Sequence, residues 1–107
     1  LNYYSVPIIV SDIKDQNKIK YITKSLINIF NNSNSLYNSI SDIKIVNDEI
    51  HYITSNRTTI RLDINQINNS TKKLINFLHQ NNNKEIDTYE YVNLIIPNQI
   101  IVKEKST

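Results

Sequence analysis

Glycine is missing from this chain of 107 residues, and so are alanine, cysteine, methionine and tryptophan. Without glycine there can be no glycine-rich phosphate loop and no Gly-x-Ser-x-Gly nucleophile elbow, because both need backbone that only glycine adopts cheaply. Without cysteine there is no disulfide and no thiolate metal site, and the redox compartment stays undetermined. Positions of positive φ must fall to Asn or Asp, which tolerate that region next best. Turns are therefore expected at Asn47-Asp48, Ser55-Asn56 and Asn98. The chain starts on Leu1 rather than Met, so it is expected to be a fragment or a processed product. No apolar run approaches the roughly 20 residues needed to span a bilayer, and this piece is expected to be soluble.

Isoleucine and asparagine dominate what is present, with 21 and 18 copies, a bias that reads as an A/T-rich coding genome rather than a structural class. Function is therefore sought in pattern and not in abundance. The length suits one domain with a genuine core. The net charge of +2 comes from lysines scattered over residues 14–24, 72–73 and 103–105, with Arg57 and Arg61 the only guanidinium groups. A basic face interleaved with aromatics is lacking, so no nucleic-acid partner is expected.

Val6-Pro7-Ile8-Ile9-Val10 reads as a short extended opening segment, because Pro7 denies a helix and the β-branched run favours a strand. Asp15 then caps a helix whose Ile19, Ile22, Leu26, Ile29 and Phe30 form an apolar stripe. Residues 31–34 break that pattern, and Leu36 and Tyr37 suit a short helical turn. Residues 40–46, 49–54 and 58–63 are strand-like runs joined by Asn47-Asp48 and Ser55-Asn56-Arg57, the punctuation of an antiparallel meander. A second helix is expected from a cap at Ser70, carrying Leu74, Ile75, Phe77 and Leu78. Two β-rich runs around Pro97-Asn98 read as a terminal hairpin. The expected fold is α+β, a single antiparallel sheet with both helices on one face, in the order β-α-βββ-α-ββ.

Chemistry is sparse. His51 and His79 are the only imidazoles, and neither belongs to a His-Glu-x-x-His pattern, so no metal site, cofactor, catalytic residue or small-molecule substrate is expected. Asp48-Glu49 and Glu85 with Asp87 sit in turn or edge contexts where solvation accounts for them. The Asn-x-Ser/Thr patterns beginning at Asn31, Asn56, Asn68 and Asn69 are expected by chance in so asparagine-rich a chain. Tyr89 and Tyr91 are expected to share a strand face, as a buried cross-strand cluster in preference to a partially exposed recognition surface.

Three stretches carry a resemblance. Val6-Pro7-Ile8-Ile9, then Thr58-Thr59-Ile60-Arg61-Leu62-Asp63 followed by a helix with Lys72-Lys73-Leu74, and finally Tyr91-Val92-Asn93-Leu94-Ile95-Ile96-Pro97-Asn98-Gln99-Ile100-Ile101-Val102 resemble the membrane-distal β domain of the FtsQ/DivIB family of bacterial division proteins. The departures are Asp63 for the family's usual Gly, Asn93 for Asp and Ile95 for Arg.

The resemblance implies an extracytoplasmic, non-enzymatic scaffold on the periplasmic face of the inner membrane, with a transmembrane helix and a POTRA domain upstream. Its partners would be FtsB/FtsL-like bitopic division proteins, recruited by strand addition at the C-terminal sheet edge. The docking edge would comprise Ile95, Ile96, Pro97, Asn98, Gln99, Ile100, Ile101 and Val102, with Ile96 at the family's aromatic contact position and Asn98 at a neighbouring turn contact. Ile95 cannot form the ion pair that Arg would form with an acidic partner residue. The alternative is an extracytoplasmic transport or envelope-assembly accessory domain holding another client at the same edge.

Overall fold

Alternation of apolar and polar residues makes the centre of the molecule. The computed structural model describes residues 8–9, 16–80 and 86–106. Its strands are β1 (Ile8–Ile9), β2 (Ile40–Val46), β3 (Glu49–Thr54), β4 (Thr59–Asp63), β5 (Tyr89–Asn93) and β6 (Ile101–Glu104), and its helices are α1 (Gln16–Asn32), α2 (Asn34–Ser39) and α3 (Ile67–Gln80). The strands form one sheet in the order β1-β2-β3-β4-β5-β6. The fold is α+β as expected, but the sheet is mixed rather than wholly antiparallel. β1 runs parallel to β2 and β4 parallel to β5, while β2-β3-β4 and β5-β6 are antiparallel. The physical reason lies in the connection: α3 carries the chain back along the sheet between β4 and β5, and a helical crossover returns the next strand in the same direction.

One register row shows where the core sits. Ile43, Tyr52, Ile60 and Val92 lie side by side across β2 to β5, and all four are fully buried. Ile22, Leu26 and Ile29 of α1 and Leu74 of α3 join them in a single apolar cluster, which places both helices on one face of the sheet. A buried chain of hydroxyls pins the layers together. Tyr52 Oη donates to Ser25 Oγ of α1 at 2.8 Å, and Ser25 Oγ is hydrogen-bonded to Thr71 Oγ1 of α3 at 2.7 Å. Burial pushes the Tyr52 hydroxyl pKa up, so it stays a donor.

Local differences from expectation have local causes. α3 starts three residues before Ser70, after a 3-10 turn at Ile64–Gln66 capped by Asp63 Oδ1, which accepts from Asn65 N at 2.9 Å. Ser70 is buried inside the helix instead of capping it. Asn47 and Asn98 take positive φ as expected, but among the described residues the third to do so is Arg57 (φ 67), not Ser55 or Asn56. Thr54 Oγ1 and Thr54 O there accept from Thr58 N and Arg57 N, closing a turn that leaves Arg57 on the left-handed side. A bulge between Tyr89 and Tyr91 separates the two tyrosines. Tyr89 is buried against Phe77, with ring centroids 5.6 Å apart, whereas Tyr91 is only half-buried. Asp15, Val6, Pro7, Val10 and Glu85 lie outside the described residues.

Candidate functional site

β6 has a strand on one side only. It is the terminal strand of the sheet order, and its outer edge has no strand neighbour among the described residues. Four large aliphatic side chains stand exposed on or beside it: Ile96 (41%), Ile100 (36%), Ile101 (38%) and Val102 (37%). Val102 extends the buried row of Ile43, Tyr52, Ile60 and Val92 by one strand, yet no helix reaches over it. The strand is four residues long and ends in Lys103 and Glu104, with Lys103 in an exposed ion pair to Glu90 at 3.3 Å. Short length and charge are the means by which natural edges resist indiscriminate pairing.

The residues expected at a docking edge do not all lie in a strand. Ile101 and Val102 belong to β6, whereas Ile95, Ile96, Pro97, Asn98, Gln99 and Ile100 form the connection from β5. Their β-branched composition favours extension, but two features override it. Asn93 Oδ1 accepts from Ile95 N at 2.9 Å, which turns the chain as it leaves β5. Ile96-Pro97-Asn98-Gln99 then closes a turn, with Gln99 N donating to Ile96 O at 3.2 Å and Asn98 at φ 61. Proline second and a positive-φ residue third is the residue pattern of a type II turn. Asn93 thus supplies the acceptor at the position where the resembled family has Asp. Asp63 is extended (φ -82), so that position has no need of glycine.

Lys73 of α3 completes the connection. Its ammonium donates to the carbonyls of Leu94 at 2.8 Å, Ile96 at 2.8 Å and Gln99 at 3.3 Å. Desolvation by burial lowers its pKa, and the charge of Asp63 opposes that shift. Beside it lies a cavity of about 430 Å³, with Ser70, Leu94, Ile95 and Pro97 among its lining residues. At the far end of β6, Lys105 N donates to Thr88 O at 3.0 Å and Lys105 Nζ to Asn56 O at 2.6 Å. Sequence reasoning carried the edge as far as Lys103 but did not assign Lys73, Glu104 or Lys105 to it. Lys73 looks like any other helical lysine until the chain brings the carbonyls to it.

The open face of the sheet carries the other polar group. Glu49 Oε1 accepts from His51 Nε2 at 3.0 Å and from Arg61 Nε at 2.8 Å. The hydrogen bond from His51, then the bond and charge of Arg61, hold the Glu49 carboxyl below its usual range, with desolvation opposing them. His51 and Arg61 both converge on Oε1, so the cluster pairs its own charges with one another. His79 lies in the last turn of α3, where a cation suits the helix end. Among the described residues no three His, Cys, Asp or Glu side chains converge as metal ligands, and no helix is long and apolar enough to cross a membrane. No protein-family model matches the chain, and no curated protein matches its sequence.

Proposed function

We propose that this chain is a scaffold domain without catalytic chemistry of its own, which captures an extended segment of another protein as an additional strand along β6. The observation that carries this is the outer edge of β6, which has no strand neighbour among the described residues and is bordered by four exposed aliphatic side chains. Main-chain hydrogen bonds would supply much of the affinity, and pockets for alternate side chains the selectivity. The likeness of three stretches to FtsQ/DivIB supports a more specific version. The domain would belong to an extracytoplasmic, membrane-anchored division protein, and the incoming strand to an FtsB/FtsL-like bitopic partner.

Proline at the edge tests this. Successive residues of an antiparallel strand alternate in the side to which their N–H points, so either Ile101 or Val102 directs its N–H away from β5. Ile101→Pro and Val102→Pro therefore include one variant that spares the internal ladder and removes an outward donor. In a titration with the ectodomain of an FtsB-like partner, that variant should bind at least about tenfold more weakly, the loss of about one charge-free hydrogen bond with its alignment. Lys24→Gln on α1 should bind normally, and circular dichroism should show each variant folded. Unchanged affinity in a folded proline variant places the partner elsewhere.

A further inference from the structure

Little apolar burial holds β6, beside its ladder to β5, the Lys103–Glu90 pair and the Lys105 contacts. Its side chains are all exposed, so apolar burial contributes far less to its attachment than it does for the central strands. The connection that delivers it is rich in isoleucine, whose β-branched side chains favour extension, yet it turns after Asn93 and again at Pro97-Asn98. What distinguishes the connection is the convergence of three carbonyls, those of Leu94, Ile96 and Gln99, on one ammonium. Carbonyl oxygens brought together repel one another unless a cation lies between them. A lysine ammonium has three N–H donors, and here all three are directed into the connection. Ile96 and Gln99 are the first and last residues of its turn, and Leu94 is where it leaves β5, so a single side chain ties both ends of the connection to α3.

We propose that Lys73 is the positioning residue of the docking edge, the cation that folds residues 94–100 into one conformation and so holds β6 in register on β5 with its outer edge ready to pair. The partner half of this inference rests on the function proposed above, whereas the positioning half does not. It also assigns Lys73 a role inside the chain, since its donors are already taken.

Hydrogen exchange on the intact chain, read peptide by peptide, separates the two halves. Lys73→Met keeps the aliphatic stem and removes the ammonium. Amides of β6 should then exchange about tenfold faster, while β3 and β4 keep their protection, as expected for local opening. Lys73→Arg keeps the charge but spreads its donors in a plane, and should restore part of the protection. Lys72→Met, on the exposed neighbour, should change nothing. Unchanged β6 exchange in Lys73→Met overturns the proposal. So does equal acceleration in β3 and β4 in both Lys73→Met and Lys73→Gln, which would make Lys73 a general support of the fold. In the partner titration Lys73→Met should weaken binding, because the competent edge is populated less. If the edge prolines abolish binding while a loosened Lys73→Met binds as the unaltered chain does, the positioning role is overturned and the docking edge stands. If the edge prolines leave binding intact while Lys73→Met loosens β6, the docking edge falls and the positioning role stands.

Discussion

β3 and β6 are both short strands containing β-branched residues, and they end in opposite conditions. In β3 every second residue is buried, Ile50, Tyr52 and Thr54, and the strand has a neighbour on each side. In β6 nothing is buried and one side has no strand neighbour among the described residues. The register makes the contrast sharp, since Tyr52 and Val102 stand in the same row of the sheet, three strands apart, with α1 and α3 covering only the first. Composition therefore does not decide which strand builds the core and which is left exposed. Place in the strand order and the reach of the helices decide it.

The same truncation applied to both regions gives the widest separation. Ile60→Ala in β4 should destabilise the fold by about 2–5 kcal/mol through lost burial and the cavity left behind. Ile101→Ala in β6 should cost under about 0.5 kcal/mol, as exposed positions do. Urea midpoints measure both, and comparable losses would erase the distinction between the two regions. Tyr52→Phe should cost about 1–2 kcal/mol, because Ser25 and Thr71 lose their third member in a buried site. The signature would be a lower midpoint with an unchanged slope.

The smallest effect lies on the open face. The Glu49 carboxyl is held below its unfolded value, so its contribution is present above the ordinary carboxylate pKa of 4.5 and is lost as pH falls through the lowered folded value. Partial exposure of Glu49 and Arg61 limits that contribution to about 1 kcal/mol or less. Stability of the unaltered chain should exceed that of Glu49→Gln at pH 7, and the gap should close toward pH 3.

Much of the core was legible from period alone. Ile22, Leu26 and Ile29 recur at helical spacing and are buried, and Ile60 and Leu62 alternate with Arg61 as a half-covered strand must. What escaped depends on contacts distant in sequence. The bulge that parts Tyr89 from Tyr91 inserts one residue against β6, and nothing in either run announces it. The parallel pairing of β4 with β5 follows from where α3 packs, and strand patterns do not encode direction. The stretch from Ile95 to Ile100 looks like strand because its residues are β-branched, but the turn at Pro97-Asn98 and the pull of Lys73, more than twenty positions away, outweigh propensity. Of the candidate edge, then, the sequence disclosed the strand's existence and its exposed aliphatics, and concealed what secures it.

The two rims of the sheet bear on mechanics. β1 and β6 occupy opposite rims, five inter-strand steps apart, which at about 4.8 Å per step is on the order of 24 Å. Tension applied between the two rims would run across the strands, along the axes of the ladder hydrogen bonds rather than past them. A sheet loaded in that direction opens like a zipper, one bond after another, and gives way first at its weakest seam. At the β6 rim, where every side chain is exposed, that load falls on the ladder to β5, on the Lys103–Glu90 pair and on the contacts of Lys105.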